Sequence, residues 1–253
     1  MTTCLIALGG NLGDVPGAFS MALARLADES ARVVAVSRLV RSAPMGGAAG
    51  GDFLNAAARV ETSLTPAALL ARLHEVEAGL NRRRQTHWGP RTIDLDLITS
   101  GTIHSKEPAL MLPHPGCWWR RFVLDPLVEI AGEEIHPTTG TTFRELRERL
   151  LPRPFVVGIA KTIPPTWTTR ISERLGALGE MVEWTNSESP ATIQFVPGST
   201  INAPTDRLLG APNDEEGFAE FATSVLTAAV DEPVVVGEGG GFRFQVSGFR
   251  VQD

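Results

Sequence analysis

The chain has 253 residues, a hydrophobic content of 43% and a formal net charge of −6. This length allows one large core or two small ones, and the composition favours two, while the negative charge argues against a general nucleic-acid or anionic-membrane binder. The two cysteines, Cys4 and Cys117, lie far apart and indicate neither a disulfide framework nor a cysteine-based zinc site. The sequence shows no signal-like N-terminus and no apolar run long enough to cross a membrane, so we expect a cytoplasmic protein.

The first predicted elements are a strand, a tight turn and a helix. Residues 3–8 form a short apolar run that predicts a buried strand, and residues 9–14 are rich in glycine. Asp14 is a predicted cap for a helix over residues 15–27. The turn lacks the glycine spacing of a dinucleotide-binding or phosphate-binding loop, which favours a purely structural turn.

Two further strands and a second helix are predicted before the centre of the chain. Residues 32–41 are rich in valine and predict a strand, and Phe53–Thr62 predicts another. Thr65 is a predicted cap for a helix over Pro66–Gly79. Between the strands, residues 45–52 are glycine-rich and predict a loop that closes over a bound substrate.

The most informative stretch covers residues 93–97, which alternate strictly between apolar and acidic side chains. This is the period of a strand, so Asp94 and Asp96 share one face and lie roughly 6–7 Å apart. Two carboxylates at that distance repel by about 2–3 kcal/mol at an effective dielectric constant of about 20. They therefore need solvent or a cation, and an oxygen-only pair suits Mg²⁺ with substrate phosphates completing its shell.

Three nearby arginines suit the same phosphates as planar bidentate donors. They are Arg82, Arg84 and Arg91, and the last of them ends a Trp-Gly-Pro-Arg turn that begins at Trp88. The alternative is structural, with an amphipathic strand presenting a solvated acidic face beside a basic loop. The combination of motifs favours the phosphate site.

After this stretch, His114 lies between two prolines that hold it in an extended conformation. A histidine in such a loop is either a structural residue or a contact for a nucleotide or phosphate. A helix is predicted from about residue 118 to residue 131, and Thr141 is the predicted cap of a last helix over residues 142–151.

Residues 151–154 predict a linker to a small α/β unit of unknown function. Its predicted strands cover residues 155–160, 191–196, 233–237 and 242–251, and its predicted helices cover residues 168–178 and 214–229. Lys161 and Thr162 follow a strand as in a phosphate-binding loop, but the glycines that such a loop needs are missing. A decayed nucleotide-binding unit is the alternative here, and residues 237–242 predict a hairpin turn.

Taken together, the motifs of residues 1–152 resemble the 6-hydroxymethyl-7,8-dihydropterin pyrophosphokinase family. The matching segments are IALGGNLGD at 6–14, FLNA at 53–56, Glu77, the arginines of RRR at 82–84, WGPRTIDLDL at 88–97, PHP at 113–115 and RRFVL at 120–124. The resemblance implies an α+β, ferredoxin-like sandwich with an antiparallel-rich sheet over residues 1–152. Residues 155–253 then form a C-terminal α/β extension.

The resemblance also implies an activity, namely Mg²⁺-dependent transfer of diphosphate from ATP to 6-hydroxymethyl-7,8-dihydropterin, giving AMP. Catalysis is assigned to Arg82, Arg91, Asp94 and Asp96, of which the two aspartates bind two Mg²⁺ ions. Pterin binding is assigned to Ala43, Met45, Phe53, Asn55, Trp88 and Phe122. Nucleotide binding is assigned to Glu77, Arg84, Trp88, Arg91, His114 and Arg120.

Two alternatives stay open at this point. The N-terminal part is either an enzyme or a non-catalytic pterin- or nucleotide-binding module that regulates the extension, and the extension itself is either a passive unit or a second enzyme. The chain departs from the family pattern at Gly10, His74, Ala109 and the pair Trp118 and Trp119. The partners implied are small molecules, with no nucleic acid and no membrane, and the oligomeric state is left open.

Overall fold

A computed structural model describes residues 1–45, 50–80, 90–186, 191–198, 202–205 and 207–236. The predicted strand over residues 242–251, the predicted turn over residues 237–242 and half of the predicted closing loop, residues 46–49, therefore lie outside the described residues. Among the described residues, no helix is both long and apolar enough to cross a lipid bilayer.

The N-terminal unit, residues 1–152, contains a mixed set of strands and helices around one antiparallel sheet. Its elements are β1 (Thr2–Gly10), α1 (Val15–Leu26), β2 (Ala31–Val36), β3 (Val40–Ser42), β4 (Phe53–Thr62), α2 (Pro66–Gly79), β5 (Asp94–Ser100), β6 (Ser105–Glu107), β7 (Leu110–Leu112), α3 (Arg121–Ala131) and α4 (Phe143–Glu148). The α+β class is confirmed, and the ferredoxin-like arrangement stays a prediction.

The C-terminal unit, residues 155–236, is built mainly on parallel strands. Its elements are β8 (Phe155–Ile159), α5 (Thr166–Leu175), a 3-10 helix (Gly176–Met181), β9 (Val182–Asn186), β10 (Ile193–Pro197), β11 (Asn202–Ala203), β12 (Leu208–Ala211), α6 (Glu215–Val230) and β13 (Val234–Val235). One sheet has the order β11-β12-β10-β8-β9, in which only β11 pairs antiparallel. The sequence did not predict β9, β11 or β12, of which β11 and β12 have two and four residues, too few for an alternating pattern to identify a strand.

Helix capping follows the sequence closely, with one correction. Asp14 accepts a hydrogen bond from Gly17 N at 3.0 Å, as a cap for α1 should. The cap of α4 is Thr142, so the prediction of Thr141 was wrong by one residue. Thr142 Oγ1 accepts from Glu145 N at 3.1 Å while the Glu145 carboxylate accepts from Thr142 N at 2.7 Å, a reciprocal capping box that fixes the helix start.

The single strand predicted over residues 32–41 is two strands, β2 and β3, which both pair with β4. Ser37 lies at the break. Its hydroxyl accepts from Ala57 N at 2.9 Å and donates to Arg38 O at 2.9 Å. The side chain replaces part of the backbone ladder at this point, and the strand pairing is interrupted there.

Two hydrophobic clusters lie on opposite faces of the N-terminal sheet. The first, here called the α1–α2 cluster, joins the sheet to its two long helices and is built from residues such as Ile6, Leu8, Phe19, Leu69, Leu73, Leu95 and Leu97. The second, here called the shared cluster, joins the opposite sheet face and α3 to the C-terminal unit through residues such as Ala7, Val123, Leu127, Phe143, Phe155, Phe195 and Phe218. The boundary near residue 152 therefore does not separate two cores, and β13 of the C-terminal unit also joins the N-terminal sheet.

Candidate functional site

A cleft lies where the ends of β1, β3, β4 and β5 meet the start of α3. It encloses about 650 Å³ of empty space, which includes its open mouth. Its lining consists of Ala7, Leu8, Gly9, Ser42, Ala43, Met45, Phe53, Asn55, Arg91, Asp94, Asp96, Arg120, Phe122 and Val123. Nine of these fourteen side chains were assigned to a substrate or metal site from the sequence.

The strand register places the two acidic residues in this cleft. Asp94 is paired with Gly9 and Asp96 with Ala7, and all four residues line the cleft. Leu95 and Leu97, which alternate with the aspartates, are buried in the α1–α2 cluster on the other face of the sheet. The prediction from the alternation is confirmed, because both carboxylates project from one sheet face.

One end of the cleft combines aromatic rings with a buried amide. Phe53 and Phe122 line it, and Asn55 is buried with its Nδ2 donating to Ser42 Oγ at 3.0 Å. Ser42, Ala43 and Met45 complete this end and are here called the β3 wall. These groups suit a flat heterocycle that has an amide edge. The phenylalanine rings can cover the faces of the heterocycle, and the Asn55 side chain can both donate to its edge and accept from it.

Carboxylates and guanidinium groups lie directly beside these rings and are here called the charged end of the cleft. Arg91 forms a salt bridge with Asp94, and its guanidinium lies 5.8 Å from the centroid of the Phe53 ring. Asn11 holds the Arg91 backbone in two places, since Asn11 N donates to Arg91 O at 2.9 Å and Asn11 Oδ1 accepts from Arg91 N at 2.9 Å. Asn11 was not assigned to the site from the sequence, although an asparagine in a glycine-rich turn commonly makes such backbone contacts.

Arg120 is positioned by its own neighbours in the chain. Its guanidinium stacks over the Trp119 ring at 4.9 Å and lies 6.0 Å from the Phe122 ring. A Cβ atom at Gly116 would lie 2.5 Å from Arg120 Cζ, so only glycine leaves room for this guanidinium. Burial lowers the pKa of Arg120 and the carboxylates of Asp96 and Asp94 oppose that shift, and an arginine keeps its proton under such conditions.

The Nε atom of Arg120 is buried and has no hydrogen-bond partner within the described part of the chain. A buried donor without a partner is costly, by about 1–3 kcal/mol. A phosphate oxygen would satisfy this donor with a charge-assisted bond.

His114 lies close enough to Arg120 and Asp94 for both to act on its pKa. Burial and the positive charge of Arg120 lower the pKa of His114 to about 3, so the ring is neutral at physiological pH. Its Nδ1 accepts from Gly116 N at 3.1 Å, which leaves the ring proton on Nε2. In this arrangement the neutral His114 ring presents its Nε2–H group as a hydrogen-bond donor.

Glu77 makes a contact that differs from the one implied by the resemblance. Its side chain is 2% exposed, and its Oε1 accepts from Leu95 N at 2.6 Å. Glu77 therefore supports β5 between the two aspartates from the opposite side of the sheet. Its assignment to nucleotide binding stays a prediction.

Three assigned residues, Arg82, Arg84 and Trp88, lie outside the described residues. The structure does explain several of the departures from the family pattern. A Cβ atom at Gly10 would lie 2.8 Å from Thr92 O, so this position accommodates only glycine here. His74 and Ala109 are exposed and do not line the cleft.

Asp94 and Asp96 are the candidate ligands for a metal ion in the cleft. No group of three or more His, Cys, Asp or Glu side chains suited to a metal ion occurs in the residues that the structure covers. Asp94 and Asp96 nevertheless share one face at the charged end of the cleft. Two carboxylates that leave most coordination positions to phosphate oxygens and water are the donor set that Mg²⁺ favours.

Comparison with known proteins supports the reading of this cleft. A model of the HPPK family, 7,8-dihydro-6-hydroxymethylpterin-pyrophosphokinase, matches residues 5–132. The 2-amino-4-hydroxy-6-hydroxymethyldihydropteridine pyrophosphokinase of Methylorubrum extorquens is 39% identical over 153 residues, which are 60% of this chain and 96% of that protein. The Bifunctional protein FolKE of Lactococcus lactis subsp. cremoris is 40% identical over 136 residues, which are 53% of this chain and 39% of that protein.

The chain therefore spans about two fifths of the length of the FolKE protein that it matches. Among solved structures, Plasmodium falciparum HPPK-DHPS wild type with pteroate matches with a TM-score of 0.49 at 11% identity, covering 81% of this chain and 61% of that one. A likeness this weak leaves fold and function open. The family match and the Methylorubrum relative show that the chain belongs to the 7,8-dihydro-6-hydroxymethylpterin-pyrophosphokinase family.

Proposed function

We propose that this protein transfers diphosphate from ATP to the hydroxymethyl group of 6-hydroxymethyl-7,8-dihydropterin, releasing AMP. The observation that carries this proposal is the cleft itself. An aromatic and amide end, at Phe53, Asn55 and Phe122, adjoins a carboxylate and guanidinium end, at Asp94, Asp96, Arg91 and Arg120. A transfer between a flat heterocycle and a polyphosphate requires both ends in one cavity.

At the aromatic end, the rings of Phe53 and Phe122 cover the faces of the pterin, and Asn55 binds its amide edge. The Nδ2 of Asn55 already donates to Ser42 Oγ, which fixes the orientation of the amide before substrate binds. The resemblance also assigns Trp88 to pterin binding, and this contact is part of the proposal.

At the charged end, Asp94 and Asp96 would hold Mg²⁺. When bound, these ions neutralise phosphate charge and orient the attacking and leaving oxygens. The Asp94 carboxylate already forms a salt bridge with Arg91, so Arg91 and a bound ion would share this carboxylate. The two-ion stoichiometry is part of the proposal, as are the phosphate contacts assigned to Arg82 and Arg84.

In the reaction, the hydroxymethyl oxygen forms a bond to the β-phosphorus of ATP and releases its proton to water. The bond between that phosphorus and the oxygen retained by AMP breaks. Phosphoryl chemistry of this kind depends on alignment and charge stabilisation more than on a covalent intermediate. Arg120 and Arg91 stabilise the charge that develops on the transferred group. His114 donates a hydrogen bond from Nε2 to a phosphate oxygen of the nucleotide.

The test is direct. The full chain is incubated with ATP, 6-hydroxymethyl-7,8-dihydropterin and MgCl₂, and products are followed by ³¹P NMR. We expect AMP and a pterin diphosphate in equal amounts, no AMP when the pterin is omitted, and no turnover when EDTA replaces MgCl₂. Formation of ADP, or binding of both substrates without any AMP, would contradict the proposal, and the second result would favour a non-catalytic binding module.

A further inference from the structure

The C-terminal unit reaches the edge of the N-terminal sheet and extends it by one strand. β13 pairs antiparallel with β3, with Val234 opposite Arg41 and Val235 opposite Val40. Val236 N donates to Leu39 O at 2.9 Å and continues the same contact. β3 therefore lies between β4 on one side and a strand of the C-terminal unit on the other.

A second contact lies one step further along, at the cleft. The Asp231 carboxylate accepts a hydrogen bond from Ala43 N at 2.9 Å through Oδ2. Ala43 belongs to the β3 wall, which lines the aromatic end of the cleft. A backbone group of the cleft wall is thus held by a side chain that is 188 positions away in the sequence.

Asp231 is itself held firmly at the end of α6. Asp231 N donates to Thr227 O at 3.0 Å, which makes this residue the C-terminal cap of the helix. Just before it, Val230 is fully buried in the shared cluster, and its carbonyl accepts from Arg153 Nη2 at 2.9 Å. The carboxylate that holds Ala43 therefore moves with the C-terminal unit and does not belong to a loose tail.

The segment that precedes α3 has a comparable contact with the C-terminal unit. Trp118 Nε1 donates to Asn202 Oδ1 at 2.9 Å, and Asn202 Nδ2 donates to Pro115 O at 2.7 Å. Pro115 and Trp118 do not line the cleft, but they lie on the segment that carries His114 and Arg120. The C-terminal unit thus contacts the β3 wall and also the segment before Arg120, and the Trp118 departure from the family pattern has a structural reason.

We propose that the C-terminal unit supports the pterin site and that Asp231 is a positioning residue for the β3 wall. By accepting from Ala43 N, it fixes the backbone against which the pterin packs. This inference rests on the proposed function, because it concerns the same substrate site. It assigns a role to a region that the family match does not cover.

The experiment compares three variants of the full chain with wild type. Asp231→Ala removes the acceptor, Asp231→Asn keeps an oxygen acceptor, and Glu232→Ala removes the neighbouring exposed carboxylate as a matched control. We expect Asp231→Ala to raise KM for the dihydropterin by roughly tenfold, the size of one lost hydrogen bond of this kind. KM for ATP should stay within about twofold of wild type, and both Asp231→Asn and Glu232→Ala should bind the pterin nearly as wild type does.

A second measurement keeps the inference separate from the proposed function. Amide hydrogen exchange at Ala43, and calorimetric binding of the dihydropterin, are measured for the same proteins. Faster exchange and weaker pterin binding in Asp231→Ala alone would support the inference even if the wild-type chain released no AMP. Unchanged exchange and pterin affinity in Asp231→Ala, or an equal loss in Glu232→Ala, would overturn it. An equal rise in both KM values that Asp231→Asn fails to rescue would also overturn it, because that pattern indicates a general loss of structure.

Discussion

The two faces of the N-terminal sheet are closed in different ways. On one face, α1 and α2 come from the same unit, and every buried residue of the α1–α2 cluster lies between residues 4 and 112, with Val236 alone of the C-terminal unit's described residues packing against it. On the other face, α3 and α4 are followed by the C-terminal unit, and the shared cluster runs from Leu5 to Val230. Asp94, Asp96 and Asn55 lie on this second face, so the support of the cleft extends beyond the family-matched segment.

The largest expected effect tests whether the two faces unfold together. Phe19 lies in the α1–α2 cluster and Phe218 in the shared cluster, and both are fully buried. Replacing either by alanine should lower the free energy of unfolding by about 3–5 kcal/mol. Because the shared cluster spans both units, we expect one cooperative transition in calorimetry for each variant. A second transition in Phe218→Ala, with the first left at its wild-type temperature, would show that the units are independent.

The next effect concerns chemistry on the shared face. Asp96→Ala should lower kcat on the order of 10²–10³-fold, because one of two carboxylates for the metal ion is lost. The melting temperature should change little, since Asp96 is only half-buried. Glu107→Ala removes an exposed carboxylate outside the cleft and is the control. Diphosphate transfer retained in Asp96→Ala would remove the metal assignment.

A smaller effect is expected where the chain makes room for Arg120. In Gly116→Ala the new methyl group would displace the Arg120 guanidinium from the Trp119 ring. We expect kcat/KM for ATP to fall by about 10–100-fold, the usual result of misplacing a charged group at a reaction centre. Gly79→Ala, where the new Cβ atom would displace the guanidinium of Arg25 outside the cleft, is the matched control. Equal kinetics for the two variants would mean that Arg120 does not contact the nucleotide.

The smallest effect depends on pH. Burial lowers the pKa of His136, which packs against Phe143 of the shared cluster, to about 4, with a further contribution from His104. Between pH 6.5 and pH 4 the unfolded chain binds a proton at this residue and the folded chain does not, so the stability contribution is complete above pH 6.5 and is lost as the pH falls toward 4. His136→Asn should remove about 1.2 kcal/mol from the difference in unfolding free energy between pH 7 and pH 5.5, measured by urea unfolding. The exposed His104→Asn variant should keep most of this difference, and an unchanged difference in His136→Asn would show that His136 binds its proton in the folded state.

Local patterns in the sequence determined much of this protein. The alternation around Asp94 and Asp96 predicted both the strand and the shared face, and Asp14, Thr65 and Asp214 begin helices where capping residues should. The pterin and phosphate residues inferred from the motifs Phe53–Asn55 and Arg91–Asp96 meet in one cleft. These features depend on periodicity and on neighbours a few residues apart, which a sequence displays directly.

Contacts between distant segments were decided only by the tertiary structure. Glu77 accepts a hydrogen bond from the backbone of β5, and Asp231, at the end of α6, accepts one from Ala43 N. Neither contact follows from a local period, because each requires the position of a backbone group on another element. The sequence therefore determined which chemical groups the protein has, and the packing of α3 and the C-terminal unit on one sheet face decided how the cleft is held.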